Sequence, residues 1–380
     1  MSEPARRARP RRSALGCLGA LVVLLLLVLA AGEVAMRIDD WRAGRDADFF
    51  LPHQDFSEAQ YMPHPYLGVV QRPGWDKREP PPGSKRYQVH INALGLRGPE
   101  TTREKPPGTY RIICIGGSTT FGTGATSDDK SYPARLQQAL NHLADTGHAP
   151  EGLRYEVLNG GVSGYNSIDS LINLELRLLE LQPDAVIDYD AANDARIIQT
   201  RDFEPDYSNY RRPPPIVELS ALDRFLLSHC RLYAHLVRGT DPEQQLGAMA
   251  DWVFVPDFEK KTVSSHLWIN EYGLTVFARN LRSICAVTRS AGAQPVLQTF
   301  AVRMADDPKY PEMGPFLKRA NQVIRDVGAE LDVPVLPTAE ALTGQAQLYD
   351  DWMHFNDNGE VEHARAVANA ALEQGLFGLH

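Results

Sequence analysis

Cysteine is scarce, with four in 380 residues. They fall in the leading apolar run (Cys17), a strand-like run (Cys114) and a helical pattern (Cys285), with Cys230 left over. That scatter excludes a disulfide framework, and no cysteine/histidine spacing suggests zinc. Positive charge is scarce beyond the amino end. The chain carries a net charge of −9, and its first 13 residues alone hold Arg6, Arg7, Arg9, Arg11 and Arg12. Without that tail the remainder is more acidic still. No basic stripe interleaved with aromatics follows, which argues against nucleic acid as a partner. Long apolar runs are missing too, with one exception. Ala14 to Gly32 run 19 residues without a charge, roughly 28 Å as a helix and close to a bilayer core.

The arginine cluster before that run predicts a single-pass membrane anchor, with the amino end cytoplasmic and the rest exported. A cleaved signal peptide is the rival reading, because Val28-Leu29-Ala30 and Ala30-Ala31-Gly32 offer small-residue sites. The long leucine run with no polar region before those sites favours retention.

Against this background one string carries chemistry. Gly116-Gly117-Ser118-Thr119-Thr120-Phe121-Gly122 follows directly on the β-branched run Arg111-Ile112-Ile113-Cys114-Ile115. The run reads as a buried strand and the glycines as a tight turn. That puts the Ser118 hydroxyl at the carboxyl end of a strand, where open α/β sheets bind ligands. A base lies near the other end, in Asp350-Asp351-Trp352-Met353-His354. Asp351, three residues before His354, reaches that imidazole within one turn. Its carboxylate would take the Nδ1 proton and leave Nε2 free to accept one from serine. Oxyanion donors lie between. Val157 to Tyr165 reads as a strand running into a glycine loop, and Ala185 to Asp190 as a strand leading to Asn193-Asp194. The N–H of Gly164, the amide of Asn193 and the N–H of Ser118 would then converge on one developing charge.

Each residue also has a plainer reading. Ser118 would serve as a helix cap, Gly164 as a turn, Asn193-Asp194 as a turn and cap, and His354 as a helix-start histidine. Asp350 competes with Asp351, though the three-residue spacing favours Asp351. Ser163 sits in a glycine loop as a second serine, and His363, on the last helical pattern, is expected to face solvent.

These blocks, in this order, resemble the SGNH hydrolases, the GDSL-type esterases and lipases, from about Tyr110 to the carboxyl end. The resemblance implies Ser118 as nucleophile, Ser118, Gly164 and Asn193 as oxyanion hole, and His354 as base. It implies hydrolysis of carboxylic esters through an acyl-enzyme, without metal or organic cofactor. Two departures stand out. Gly116-Gly117-Ser118 replaces Gly-Asp-Ser, and Ala191-Ala192 stand where the family places a glycine before Asn-Asp. Alanine resists positive φ, so the loop aiming Asn193 is expected to be shaped differently.

From Arg111 strands and helices alternate. Ser131 and Ser167 read as helix caps, helices are expected near 272–290 and 315–331, and strands at 295–299 and 334–336. The rhythm predicts a parallel sheet with helices on both faces, and the resemblance implies a three-layer, flavodoxin-like arrangement. The expected organisation is a basic tail (1–13), an anchor (14–32), a proline-rich extension (33–107) and a hydrolase domain (108–380). The extension has a strand-like piece at 86–91. Asn92 to Gly98 resembles a segment upstream of the nucleophile strand in some exported bacterial SGNH proteins. Residues 200–270 interrupt the rhythm with Arg211 to Pro215, Tyr207, Tyr210, Phe225, Tyr233, Trp252 and Phe254. They read either as a lid or recognition element or as structural decoration. An exported address suggests acyl or acetyl esters of cell-envelope glycans or lipids as substrates. Transfer of the acyl group to a sugar hydroxyl and a non-catalytic envelope binding or assembly role are the alternatives. A phosphodiesterase lacks a visible metal cluster or basic clamp.

Overall fold

In the computed structural model, residues 14–43, 60–77, 88–210, 220–238, 269–303 and 313–380 are described. The basic tail (1–13), residues 78–87 of the proline-rich stretch, Arg211 to Pro215, Trp252 and Phe254 lie outside the described residues. The chain divides into two compact units, Met1–Ser57 with Pro215–Met249, and Glu58–Pro214 with Ala250–His380.

The first unit is built on α1 (Ala14–Ala43). This helix is long and apolar enough to cross a membrane, as a retained anchor or a signal sequence would be. Two insertion helices belong with it; in chain order they are α6 (Ala221–His229) and α7 (Arg231–Arg238). Glu33 of α1 accepts the backbone N–H groups of Arg231 and Leu232 at 2.9 and 2.8 Å. Those are donors that the first turn of α7 leaves without helical partners.

The second unit starts with two antiparallel pairs, β1 (Tyr61–His64) with β2 (Gly68–Gln71) and β3 (Asp76–Lys77) with β4 (Val89–His90). The main run follows as β5 (Thr109–Gly116), α2 (Ser118–Phe121), α3 (Tyr132–Asp145), β6 (Arg154–Asn159), α4 (Ser167–Asn173), β7 (Ala185–Tyr189) and α5 (Ala192–Ile198). After the insertion come α8 (Glu271–Ser290), β8 (Gln294–Gln298), α9 (Met313–Leu331), β9 (Val335–Leu336), α10 (Thr338–Leu342) and α11 (Asp357–Glu373). The sheet is parallel, in the order β6-β5-β7-β8-β9. The alternation predicts a parallel sheet, and the order is the flavodoxin-like winding that the resemblance implies, with its direction reversing beside β5.

Both faces of the sheet are covered, so its strands read as unbroken apolar runs. On one face Leu136 and Leu140 of α3 and Val367 and Ala371 of α11 pack on Ile112, Cys114 and Ile187. On the other, Leu174, Leu178 and Ile284 pack on Ile113, Ile115 and Val186, and Phe277, Leu281, Phe316 and Ile324 extend that layer toward Tyr189. Cys114 and Cys285 are buried free thiols. From the insertion, Phe203, Tyr207 and Tyr210 are core residues of this unit.

Three local expectations change. Ser131 precedes α3 but does not cap it. Its hydroxyl donates to the Asp128 carbonyl, while the Glu360 carboxylate accepts the Tyr132 N–H at 2.8 Å. The cap of α4 is Asn166 in a capping box with Asp169, not Ser167. His363 is wholly buried rather than solvent-facing. Its ring stacks on Tyr132 at 4.0 Å and Nε2 donates to Gln298 Oε1 at 3.0 Å. Burial pushes its pKa down to about 3, so the ring is neutral.

Asp188 in β7 is buried beside Asp190 and Asp194, and one of its oxygens has no hydrogen-bond partner. Burial, with the nearby Asp194 charge adding to it, raises the Asp188 pKa. A raised carboxyl stabilises the fold fully below the ordinary carboxylate range, and that contribution is lost as pH rises through the elevated value. Asp188→Asn should therefore melt higher than the parent protein at pH 8, with the advantage shrinking toward pH 4.5. Melting temperatures across that range check the sign, and a constant or inverted difference would refute it.

Candidate active site

The site lies at the carboxyl edge of β5 and β7, which are neighbours in the sheet with Gly116 opposite Tyr189. Gly116 has φ +146°, and a Cβ there would stand 2.8 Å from the Tyr189 carbonyl. Glycine alone turns the chain there, and Ser118 opens α2 immediately afterwards, almost buried.

Ser118 Oγ lies 2.7 Å from His354 Nε2, and His354 Nδ1 lies 2.6 Å from Asp351 Oδ2. The second contact makes Nδ1 the protonated nitrogen, so Nε2 accepts from the serine hydroxyl. The other Asp351 oxygen accepts the backbone N–H groups of Met353 and His354 at 2.9 and 2.8 Å. Partial burial works against the ionised Asp351. The His354 ring and the two backbone donors outweigh it and hold the pKa at about 2. Asp350 instead uses its backbone, its N–H donating to the His354 carbonyl at 2.8 Å. A bridge between Tyr349 and Phe355 closes this loop, and Asn356 caps α11 behind it.

Asn193 stands in the first turn of α5. Its amide nitrogen donates to the Tyr165 carbonyl at 2.7 Å, leaving a second N–H on the same nitrogen. The two alanines before it reach Asn193 without a left-handed residue. Ala191 is extended at φ 179° and Ala192 is already helical, so no positive φ is needed to reach Asn193. The glycine pair at the nucleophile has its own reason. A Cβ on Gly117 would come within 2.7 Å of Asn193 Nδ2 and 2.8 Å of the Tyr165 carbonyl. An aspartate at that position would collide with the amide beside it.

Ser118 and Asn193 line one small cavity of about 10 Å3 together with Tyr189, Asp190, Ala191, Phe300 and Met353. Gly164 is not among its lining residues. It holds a left-handed φ of +85° and precedes Tyr165, whose carbonyl fixes Asn193. Ser163 Oγ lies 3.3 Å from Thr123 Oγ1, away from the histidine–aspartate pair. Asp194 ties two of the blocks together. It accepts from the backbone N–H and hydroxyl of Ser167 at 2.9 and 2.6 Å and from the Tyr207 hydroxyl at 3.2 Å. Among the described residues, the group with metal-ligand character is Asp39, Asp40 and His235, in the unit of α1. Asp40 there already faces the Arg231 guanidinium at 3.4 Å and His235 at 2.7 Å.

Sequence reasoning passed over Arg97, which is buried against the far end of α2. Its signal was the Asn92 to Gly98 segment, noticed without a role.

A family model described as the GDSL-like lipase/acylhydrolase family matches residues 114–360. No curated protein matches the chain. Among solved structures, the chain is similar to a putative lipolytic protein of the G-D-S-L family from Desulfitobacterium hafniense. The two are 14% identical with a TM-score of 0.40, over 69% of this chain and 99% of that one. An acetylxylan esterase from Geobacillus stearothermophilus is 16% identical at a TM-score of 0.42, over 69% and 93%. A lipase/acylhydrolase from Enterococcus faecalis is 16% identical at 0.40, over 69% and 94%. With the family model covering well over half of its length, the chain belongs to the GDSL-like lipase/acylhydrolase family and is an ester-hydrolysing enzyme.

Proposed function

We propose that this enzyme hydrolyses short-chain carboxylic esters through an acyl-enzyme on Ser118. The reading rests on one observation, the unbroken relay from Ser118 Oγ through His354 to Asp351 at 2.7 and 2.6 Å. His354 Nε2 takes the serine proton as Oγ attacks the ester carbonyl. The tetrahedral oxyanion is held by the Ser118 N–H, the free N–H of the Asn193 amide and the Gly164 N–H. His354 then protonates the leaving alcohol. In the second half it removes a proton from water, which releases the acid and restores the serine. Asp351 fixes the tautomer and offsets the charge on the imidazolium.

The cavity beside Ser118 supports a narrow acyl group. Some 10 Å3 is about the space one water needs, and an acetyl methyl is of that order. Tyr189, Phe300 and Met353 are among the side chains that line it. The location we favour is the exported face of a membrane, with α1 retained as a single-pass anchor. Its helix runs on through Ala30 and Gly32 to Ala43, and Leu232 packs against Gly32. Acetyl esters of cell-envelope glycans or lipids are substrates compatible with that address.

A fluorophosphonate probe on the full chain should leave a single adduct on Ser118, found by peptide mass spectrometry and lost in His354→Ala. The intact mass of the labelled protein also reads whether residues 14–32 remain. Ser118→Ala should lose hydrolysis of acetyl esters by about ten-thousandfold; an active variant, or an adduct on Ser163, would sink the assignment. Gly117→Ala should push on the Asn193 amide and lower kcat by about 100-fold, with little change in KM. In an ester series of fixed alcohol, each methylene added beyond acetyl should cost about tenfold in kcat/KM. A flat series would remove the short-acyl reading. Running these assays with a sugar acceptor present separates transfer to a hydroxyl from transfer to water.

A further inference from the structure

We propose that Arg97, which precedes the sheet in sequence, is a positioning residue for the nucleophile. Its guanidinium holds the carbonyl end of the one-turn helix that begins at Ser118. The inference rests on the reading of Ser118 as nucleophile.

A helix as short as α2 cannot hold itself. Its backbone bonds run from the Phe121 N–H to the Gly117 carbonyl and from the Gly122 and Thr123 N–H groups to the Ser118 carbonyl. That leaves the Phe121 and Gly122 carbonyls at its far end, the latter accepting the Ala125 N–H at 3.0 Å. Here those carbonyls are taken up from outside. Arg97 Nη1 donates to the Phe121 and Gly122 carbonyls at 3.0 and 2.6 Å, and Nη2 to the Ala125 carbonyl at 3.4 Å. The Phe121 carbonyl also receives the Asn159 amide at 3.1 Å. A cation at this end suits the helix dipole, and the guanidinium carbon lies 4.9 Å over the Phe121 ring.

The guanidinium is itself fixed. Nε donates to Asp128 at 2.7 Å, with the arginine side chain 1% exposed. A Cβ on Gly122 would have Arg97 Nη1 at 3.3 Å on one side and Glu360 Oε1 at 3.4 Å on the other. Glu360 belongs to α11, the helix that follows the His354 loop, so Gly122 has both Arg97 and α11 as neighbours. Its backbone is pinned as well. Asn92 Oδ1 accepts the N–H groups of Leu94 and Leu96 at 3.0 Å each, and Arg97 bridges to Ile91 and Asn159. Leu96, one residue earlier, is buried against Ile113 and Ile115 of β5.

Ser118 and Phe121 are the two ends of one turn, so displacement at Phe121 moves Ser118 relative to His354. The contact demands a planar fork as well as a charge. Lysine keeps the charge but presents a single ammonium to carbonyls that lie in different directions.

The test uses the full chain and reads the rate at which the fluorophosphonate labels Ser118, a reaction that does not depend on the acyl cavity. Arg97→Lys and Arg97→Ala should slow labelling and kcat together by about 10- to 100-fold, with KM for a short ester within about threefold. Methylguanidinium should restore part of the labelling rate in Arg97→Ala, and methylammonium should not. Wild-type labelling in Arg97→Lys would overturn the proposal. So would a loss that tracks only the unfolded fraction, measured by near-UV circular dichroism, and resists methylguanidinium. If Ser118→Ala is still labelled elsewhere and active, the parent reading has failed. If Ser118→Ala is silent while the Arg97 variants react normally, only this inference has.

Discussion

A side chain on Gly117 would meet the Asn193 amide at 2.7 Å and the Tyr165 carbonyl at 2.8 Å, and one on Gly116 would meet the Tyr189 carbonyl at 2.8 Å. These two bare positions let three chain segments meet at one point. The sheet order brings β5 beside β7, so the residues just past their carboxyl ends are neighbours before any loop is specified. With the glycines in place, the amide after β7 can lie flat against the turn after β5. The loop after β6 then contributes the Tyr165 carbonyl that orients it. Any larger residue at Gly117 would push on the amide and on the Tyr165 carbonyl that holds it.

The histidine and aspartate are organised on a different principle. Asp351 and His354 are three residues apart, and the carboxylate binds both the ring and two backbone N–H groups of its own turn. Three donors on one carboxylate favour its charged form by more than partial burial disfavours it, which is why its pKa stays near 2. The base is thus assembled locally and held ionised at one end. Ser118 sits in a single turn, its carbonyl taking the Gly122 and Thr123 N–H groups. The far end of that turn is met by residues distant in sequence, Arg97 and Asn159.

This division explains what could be read in the chain. The contact of Ser118 with His354 and Asp351 was legible because strand, turn and i,i+3 spacing are local patterns, and the parallel sheet because strands and helices alternate; the strand order was not in that alternation. Asn193 was legible as a residue, but its loop was not, since φ 179° at Ala191 removes the need for the missing glycine. His363 looked exposed because a polar residue on a helix usually is. Its burial depends on the Tyr132 ring and the Gln298 amide, more than 200 and 60 residues away. Ser131 and Ser167 looked like caps for the same local reason, and lost that task to Glu360 and Asn166. The pairing of α7 with Glu33 joins positions nearly 200 residues apart and has no periodicity to announce it. Arg97 was the hardest, because one arginine in a glycine-rich turn looks like a solvated charge.

The upstream segment therefore belongs to the chemistry in a physical sense. Leu67 and Val70, from the hairpin of β1 and β2, pack on Val162 and Tyr165. The Tyr165 hydroxyl donates to the Val69 carbonyl at 2.7 Å. Tyr165 is the residue whose carbonyl holds Asn193, so residues 67–70 brace the Asn193 side of the site. Arg97 meets the far end of the turn that begins at Ser118. The family pattern spans residues 114–360, yet the compact unit that holds Ser118, Asn193, Asp351 and His354 begins at Glu58. A minimal sheet with its flanking helices would retain the relay residues and lose both braces. Its serine would still lie at the end of a strand, without the contacts that fix its distance to the base.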